Sequence, residues 1–453
     1  MEFIDRFRAS LRINTAWPRG ASPGDSQAEG PLRAFQDFLA ETYPAFNRAA
    51  ERWVLSPYSL VYRWPGAASA GRDGRGPVLF LSHYDVVPAE TEKWTVDPFG
   101  GDLRDEPGGP YVYGRGALDM KNILMALMES AEELCKGGFV PRGDIWFAFG
   151  GDEERSGILG AQKTVPWLAE RGLRFSWILD EGGVVAQDQL KGVTDPLALV
   201  GIEEKGYLSL TLSVDQKSGH ASQPPAVQAV AVLARALARI DNHPFPFHLV
   251  PTVEAFFSGL APHVSGGLAA VLRNARLLGP LFFKAAATTP VTAAMMRTTI
   301  AMTQLQGSAA DNVMPSQAQA VLNLRLLPPW TVETAVERIK DVISDPRVTV
   351  ALYGPATDPV PAAPGQARME GPGWKELRDA LEAAFPGVPP IPYLMMATTD
   401  SRHYRSLGDA IFRFGPQRLT PEELSRIHGK DERISLVNLE RSLVFYTALL
   451  RSL

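Results

Sequence analysis

The residues best suited to chemistry lie in five short polar clusters, each following an apolar run. The first is Leu81-Ser-His83-Tyr-Asp85. Residues i and i+2 of an extended chain project to the same side, so Asp85 can reach the His83 ring and orient it for a metal. Alone, the pattern also fits a structural histidine satisfied within the core. The second cluster, Tyr113-Gly-Arg-Gly-Ala-Leu-Asp119-Met-Lys-Asn122, is a Gly-rich loop opening a helix, where Asp119 reads as an N-cap or a ligand. Gly114 and Gly116 form a lone G-x-G without the rest of a dinucleotide fingerprint. The third, Phe149-Gly-Gly-Asp152-Glu153-Glu154, places three acids at a strand end. They would repel one another unless hydrated in a turn or compensated by a cation. The fourth is Asp180-Glu181-Gly-Gly183, and the fifth runs from Arg426 through His428 to Arg433.

Jointly these residues point to metal. The set His83, Asp119, Glu154, Asp180 or Glu181, and His428 contains no thiol, and such nitrogen and oxygen ligation suits one or two zinc ions. Two ions about 3.5–4 Å apart can clamp an attacking hydroxide and a polarised carbonyl oxygen. One acid of the Glu153–Glu154 pair is then left over as a general base.

The elements that must position these groups follow from the pattern. Val78–Ser82 and Asp144–Phe149 are continuously apolar, as strands covered on both faces are. Helices are expected over Lys121–Leu134 and Gly157–Arg171, and a third strand over Trp177–Asp180. This alternation predicts an α/β layered domain, with ligands gathered at the carboxyl ends of the strands. Ahead of it, Phe3, Ile4, Phe7 and Leu11 mark one helix and Leu32 to Leu39 a second. From about Glu203 the texture changes. Tyr207–Val214 and Gln319–Leu327 alternate apolar and polar residues, so one face is solvated, and helices are expected over Ala226–Ile240 and Thr331–Ile343. After residue 345 the α/β character returns, with a helix over Trp374–Phe385, an apolar segment Ile391–Ala397, a strand Ala410–Phe414 and a closing helix from Ser435. The expected division is therefore residues 1–202 and 329–453 as one discontinuous catalytic domain, with 203–328 inserted.

Composition narrows the class. The chain has 453 residues, and 45% hydrophobic side chains argue for a globular protein and against disorder. A formal charge of −5 leaves no basic stripe, so nucleic acid is disfavoured as a partner. The one cysteine, Cys135, closes no intrachain disulfide and reads as a small core residue. Charged residues near the N-terminus leave no secretory apolar region, and no 18-residue uncharged apolar run occurs, so no membrane span and a cytoplasmic location are expected.

In order, Ser-His83-Tyr-Asp85, Gly-Arg-Gly-Ala-Leu-Asp119-Met-Lys, Asp-Glu153-Glu154-Arg-Ser-Gly, Leu-Asp180-Glu181-Gly-Gly, Ser-Gly-His220-Ala-Ser, Asn312-Val-Met-Pro315, Thr-Asp400-Ser-Arg402 and His428-Gly-Lys-Asp-Glu-Arg433 span the chain. This series resembles the dizinc aminoacylase/carboxypeptidase metallopeptidases, and most of all their carboxypeptidase S and N-fatty-acyl-amino-acid hydrolase branch. The likeness runs from about residue 75 to 435. It implies a three-layer, mixed-sheet zinc-peptidase catalytic domain with an inserted α+β lid and dimerisation domain, and so a homodimer. It further implies two zinc ions, or cobalt or manganese. His83, Asp119 and Glu154 would form one metal site, and Asp119, His428 and a carboxylate of Asp180-Glu181 the other. Asp85 would orient His83, and Glu153 would be the base. His220 would stabilise the oxyanion, often across a dimer, and Asn312 would bind the substrate's carboxylate or carbonyl. Arg402 is a candidate carboxylate clamp, its planar fork suiting bidentate contact. Arg325 is a further candidate, although its alternating strand also fits a solvated position.

The implied reaction is hydrolysis of the amide in an N-acyl amino acid, or a short peptide with a free carboxylate, through a metal-bridging hydroxide. A Gly-X dipeptidase or carboxypeptidase is the alternative within enzymes, and a non-catalytic metal-bound binding module the alternative outside them. An apolar insertion over residues 245–300, with Phe256, Phe257, Leu281, Phe282, Phe283, Met295 and Met296, reads either as extra helix packing or as the lining of an acyl groove.

Overall fold

The computed structural model describes residues 2–18, 20–67, 76–189 and 192–453, without the side chains of residues 280, 281, 285 and 286. Its main element is an eight-stranded mixed sheet. In spatial order the strands are Glu51–Ser56, Ser59–Trp64, Ile145–Gly150, Val78–His83, Trp177–Ala186, Ile411–Leu419, Leu197–Glu204 and Pro390–Met395. Val78–His83 runs parallel to both of its neighbours, with His83 opposite Gly150 and Phe80 opposite Leu179. The chain turns that follow these strands therefore converge at one edge.

The continuous apolar runs are explained by burial on both faces. Phe80 and Phe147 join a core formed with the helices Phe3–Arg12, Ser26–Thr42, Lys121–Lys136, Trp374–Ala384 and Leu436–Ser452. Their neighbours Leu79, Leu81, Trp146 and Ala148 point the other way, onto Ala161, Leu168 and Tyr404. The Ser26–Thr42 helix begins earlier than its apolar stripe suggests, because the Asp25 carboxylate caps it by accepting from the Gln27 amide at 2.9 Å.

One strand differs from expectation in a way that matters. Trp177–Ala186 does not stop at Asp180 but continues through Glu181 and the two glycines. A Cβ on Gly183 would lie 1.8 Å from the Leu199 carbonyl oxygen, so only glycine lets the strand Leu197–Glu204 pass so close. Asp180 and Glu181 consequently sit mid-strand, on opposite sides of the sheet.

A second, antiparallel sheet has the order Thr299–Gln306, Gln317–Leu326, Gly206–Asp215 and Thr349–Leu352. Leu208, Leu210, Leu212 and Val214 share one face and pack with Leu322, Leu324 and the helices Ala229–Asn242 and Val332–Ile343. That helix and the strand Thr349–Leu352 lie beyond residue 328, so this core continues past the expected boundary there. The amphipathic helix buries Ala335, Ile339 and Ile343 against the small sheet. The chain passes from the large sheet to the small one through Lys205 alone, and returns beside it, Val360 bridging Glu204 and Thr357 bridging Tyr207.

The apolar insertion forms the helices Pro251–Leu260, Gly267–Arg273, Ala275–Ala286 and Pro290–Met296. Phe256, Phe257, Phe282, Met295 and Met296 are buried with Leu197, Leu199, Ile391 and Leu394. These side chains cover the edge strand Pro390–Met395, the packing alternative, rather than line an open groove; the Leu281 side chain lies outside the described residues. Among the described residues no helix is long and apolar enough to cross a membrane. Cys135 is partly buried against the main core, and burial pushes its thiol up to about 12.

Candidate metal centre

His83 ends its strand with a buried ring. Nδ1 donates to the Asp85 main-chain carbonyl at 2.9 Å, with an Asp85 carboxylate oxygen at 3.4 Å. That bond leaves the Nε2 lone pair for a ligand, the tautomer metal coordination requires. Nε2 faces Asp119 Oδ1 at 3.1 Å and Glu181 Oε1 at 3.3 Å. The other Asp119 oxygen lies 2.9 Å from His428 Nε2, which also meets Glu154 Oε1 at 3.1 Å. Asp119 thus stands between the two imidazoles with one oxygen toward each.

By direct contact Glu181 stands with His83 and Glu154 with His428, while ligand atoms of the trio that the resemblance implies, His83, Asp119 and Glu154, also lie within 4.8 Å of one another. Asp180 stays out of the cluster: its oxygens accept from the amides of Glu181 (2.9 Å) and Ser401 (2.8 Å), because strand alternation turns it to the opposite face. Asp85 reaches beyond the His83 ring. Its carboxylate also accepts from the amides of Glu153 (3.2 Å) and Glu154 (3.1 Å), so it ties the acidic turn to the histidine strand. Asp119 precedes the helix Lys121–Lys136, whose N-terminus has no side-chain cap, which sets aside the capping role.

The donor set fits divalent cations. Ligand atoms of His83, Asp119 and Glu154 all fall within 4.8 Å of one another, as do those of His83, Glu153 and Glu181. Such crowding shows in the proton affinities. Burial pushes Glu181 up to about 8, with Asp119 adding repulsion, and raises Glu153 and Glu154 too. Burial alone would lower His83, but Glu181, Asp119 and Asp85 prevail and hold it well above its ordinary value. Hydrogen bonds to Asp119 and Glu154 push His428 up to about 10. Both imidazoles in turn hold Asp119 below the carboxylate range despite its burial. Crowded acids that raise one another's proton affinity, and that of the imidazoles between them, form a site where positive charge is strongly favoured.

The remaining predicted residues fall in two places. Arg402 is buried beside the cluster, donating to the Thr399 carbonyl at 2.6 Å and approaching Glu153 to 3.7 Å. Arg325 lies on the small sheet opposite Tyr207, its guanidinium 4.8 Å from that ring, and burial, with Arg402 among the opposing charges, lowers its pKa. His220 belongs to a two-stranded ribbon, Gly219–His220 against Val313–Met314, and Asn312 directly precedes it, its carbonyl accepting from the Ala221 amide at 3.0 Å. His220 is exposed and its ring meets Ser222 Oγ at 2.7 Å. Among the described residues, neither His220 nor Asn312 touches the carboxylate cluster.

An N-terminal strap supports the cluster from behind. Buried Lys121 donates to the carbonyls of Ser10 (3.0 Å) and Ile13 (2.7 Å) at the C-terminal end of the Phe3–Arg12 helix, where a cation is favoured. The Thr15 hydroxyl donates to the Tyr84 carbonyl, Ala16 bridges Val86, and Arg155 lies 4.1 Å from the Trp17 ring centre. Lys121 sits inside a motif the sequence displays, yet its partners are over a hundred residues upstream and no spacing rule reveals them.

Comparison with known proteins agrees with this geometry. Residues 79–452 match Peptidase family M20/M25/M40. The chain is 36% identical over 425 residues to the human (Homo sapiens) N-fatty-acyl-amino acid synthase/hydrolase PM20D1, covering 93% of this chain and 82% of that protein. It is 33% identical over 436 residues to probable carboxypeptidase S-like 2 of Dictyostelium discoideum, covering 96% and 82%. Among solved structures, the M20 family metallo-carboxypeptidase Sso-CP2 from Sulfolobus solfataricus superposes with a TM-score of 0.71 at 15% identity, over 100% of this chain and 99% of that one. At that identity the superposition speaks for the fold. Sequence match and fold lead to one assignment: the chain belongs to peptidase family M20/M25/M40 and is a metallohydrolase.

Proposed function

We propose that the protein hydrolyses the amide bond of N-acyl amino acids. The observation that carries this reading is Asp119 facing both His83 and His428, with Glu153 left beside the pair. In it, His83, Asp119 and Glu181 hold one divalent ion and His428, Asp119 and Glu154 the other. When bound, such a pair, zinc with cobalt or manganese as alternatives, activates a water and polarises the scissile carbonyl. Glu153 takes the proton from the attacking water and returns it to the leaving nitrogen. Asp85 keeps Glu153 and His83 in register through the contacts described above.

Arg402 and Arg325 bear on the substrate's free carboxylate. Arg402 disfavours the charge on Arg325, and an anion between them relieves that repulsion. His220 and Asn312 serve the oxyanion and the substrate. Their exposed position, away from the cluster, supports delivery from a second copy, with the inserted small-sheet unit acting as a lid and dimerisation domain.

The relative named as an N-fatty-acyl-amino acid synthase/hydrolase favours an acyl substrate. The relative named as carboxypeptidase S-like favours a second reading, cleavage of Gly-X dipeptides or peptide C-termini. Comparing lauroyl- and benzoyl-amino acids with a Gly-X dipeptide decides between them: faster turnover of the acyl substrates is expected. Turnover of either class that survives complete removal of metal by a chelator would overturn the mechanism.

A further inference from the structure

Two charged residues inside the metal-site motifs have no role in the chemistry above, yet they are among the most deeply buried in the molecule. Arg115, in the Gly-Arg-Gly loop, is 3% exposed, and Glu432, after His428, is 0% exposed. They pair at 2.5 Å. A buried ion pair is a poor source of stability, because desolvating both charges offsets most of their attraction. What distinguishes this one is where its remaining hydrogen-bonding capacity goes. Glu432 Oε1 accepts from the amides of Leu118 (2.7 Å) and Asp119 (3.2 Å), and Arg115 Nη2 donates to the His428 carbonyl at 3.2 Å. The Gly114 amide also donates to the Glu432 carbonyl at 2.9 Å.

Both metal-site peptides are thus gripped by one pair from two distant stretches of chain. His428 needs such a grip, since it adopts φ 60°, a left-handed conformation that side chains other than glycine seldom take. We propose that Arg115 and Glu432 are positioning residues that clamp the Asp119 and His428 peptides together, setting the spacing of the metal centre; this rests on the function proposed above. The planar fork of arginine is essential, because one nitrogen meets the Glu432 carboxylate and the other the His428 carbonyl. Lysine has a single nitrogen and cannot span both with the same geometry.

The test is metal binding, read separately from turnover. Metal-free protein is titrated with Co²⁺, following heat and visible absorption. Wild type is expected to take up two ions. Arg115→Met and Arg115→Lys are expected to bind the His428-side ion roughly 10- to 100-fold more weakly, the usual loss when a group supporting a ligand is removed. Should Arg115→Met fail to fold, Arg115→Lys carries the test. Arg6→Met is the control for general loosening, because Arg6 pairs with buried Glu129 between two helices, its Nε donating at 2.8 Å. It should lower the thermal midpoint and leave both affinities unchanged. Wild-type affinity in a folded Arg115→Lys, or an equal loss in Arg6→Met, would overturn the clamp while leaving the metal reading intact. Failure of the wild type itself to bind two ions would overturn both.

Discussion

The carboxyl edge of the large sheet and the ribbon beside the small sheet each carry a histidine that the sequence marks for catalysis. His83 is buried, its Nδ1 fixed by a main-chain carbonyl and its Nε2 surrounded by acids. His220 is exposed, and its ring meets the neighbouring Ser222. The difference lies in what each location can enforce. Parallel strands covered on both faces hold their ends in fixed register, so charges that repel can be kept in contact. A two-residue ribbon in solvent cannot do this, and a group placed there must be carried to its target by movement or by another molecule.

That contrast can be broken or sharpened by substitution. Asp119→Ala should have the largest effect: with the shared carboxylate gone, metal content measured by mass spectrometry should fall from two ions to none and turnover to background. Retention of one tightly bound ion would show the two halves to be independent. Glu153→Gln should keep both ions and lose roughly 10²- to 10⁴-fold in turnover, the range of general acid–base catalysis. His220→Ala should keep both ions and lose about 10²- to 10³-fold, the usual loss for an oxyanion donor. Mixing it with Glu153→Gln protein should then restore activity if His220 works across a dimer. Leu212→Ala, in the core of the small sheet, should lower stability by roughly 2–5 kcal/mol in denaturant unfolding without changing metal content.

The smallest effect is expected at Lys205, where the chain first passes from the large sheet to the small one. It is buried, donating to the carbonyls of Ala294 (2.9 Å) and Arg297 (2.8 Å). Burial, with Arg325 and Arg297 nearby, lowers its pKa from 10.5 to about 7. Between these values the unfolded chain holds a proton that the folded chain has released, so the unfolding free energy rises with pH across that window. Lys205→Met should flatten the rise of the thermal midpoint between pH 7 and 9.5; an unchanged slope would show that Lys205 stays charged.

Much of this organisation was legible in the residues, for identifiable reasons. Runs such as Val78-Leu-Phe-Leu and Ile145-Trp-Phe-Ala declare strands because two covered faces demand apolar side chains at every position, and Leu208-Leu210-Leu212 declares a one-sided sheet by alternation. Clustered acids declare a cation site because their repulsion needs an explanation. Less visible was anything set by a partner far away in sequence. Asp180 and Glu181 are neighbours of like chemistry, and only the continuation of their strand, permitted by Gly183, decides which one faces His83. Which imidazole each of Glu154 and Glu181 touches was equally hidden: spacing fixes which residues reach the edge, not which pairs meet there. The limits of the small-sheet core were hidden likewise, since the Val332–Ile343 helix carries an apolar stripe that fits either sheet.

The strap from Ser10 to Trp17 bears on how this enzyme could be recombined with its relatives. The family match begins at residue 79, which invites a graft at that seam. A chimera made there would strand the Lys121 ammonium without the Ser10 and Ile13 carbonyls, and the Tyr84 carbonyl without the Thr15 hydroxyl. An ammonium left in the interior without acceptors is among the costliest defects a core can carry. The workable seam therefore lies ahead of Phe3, and the opening helix should travel with the catalytic sheet as one exchangeable part.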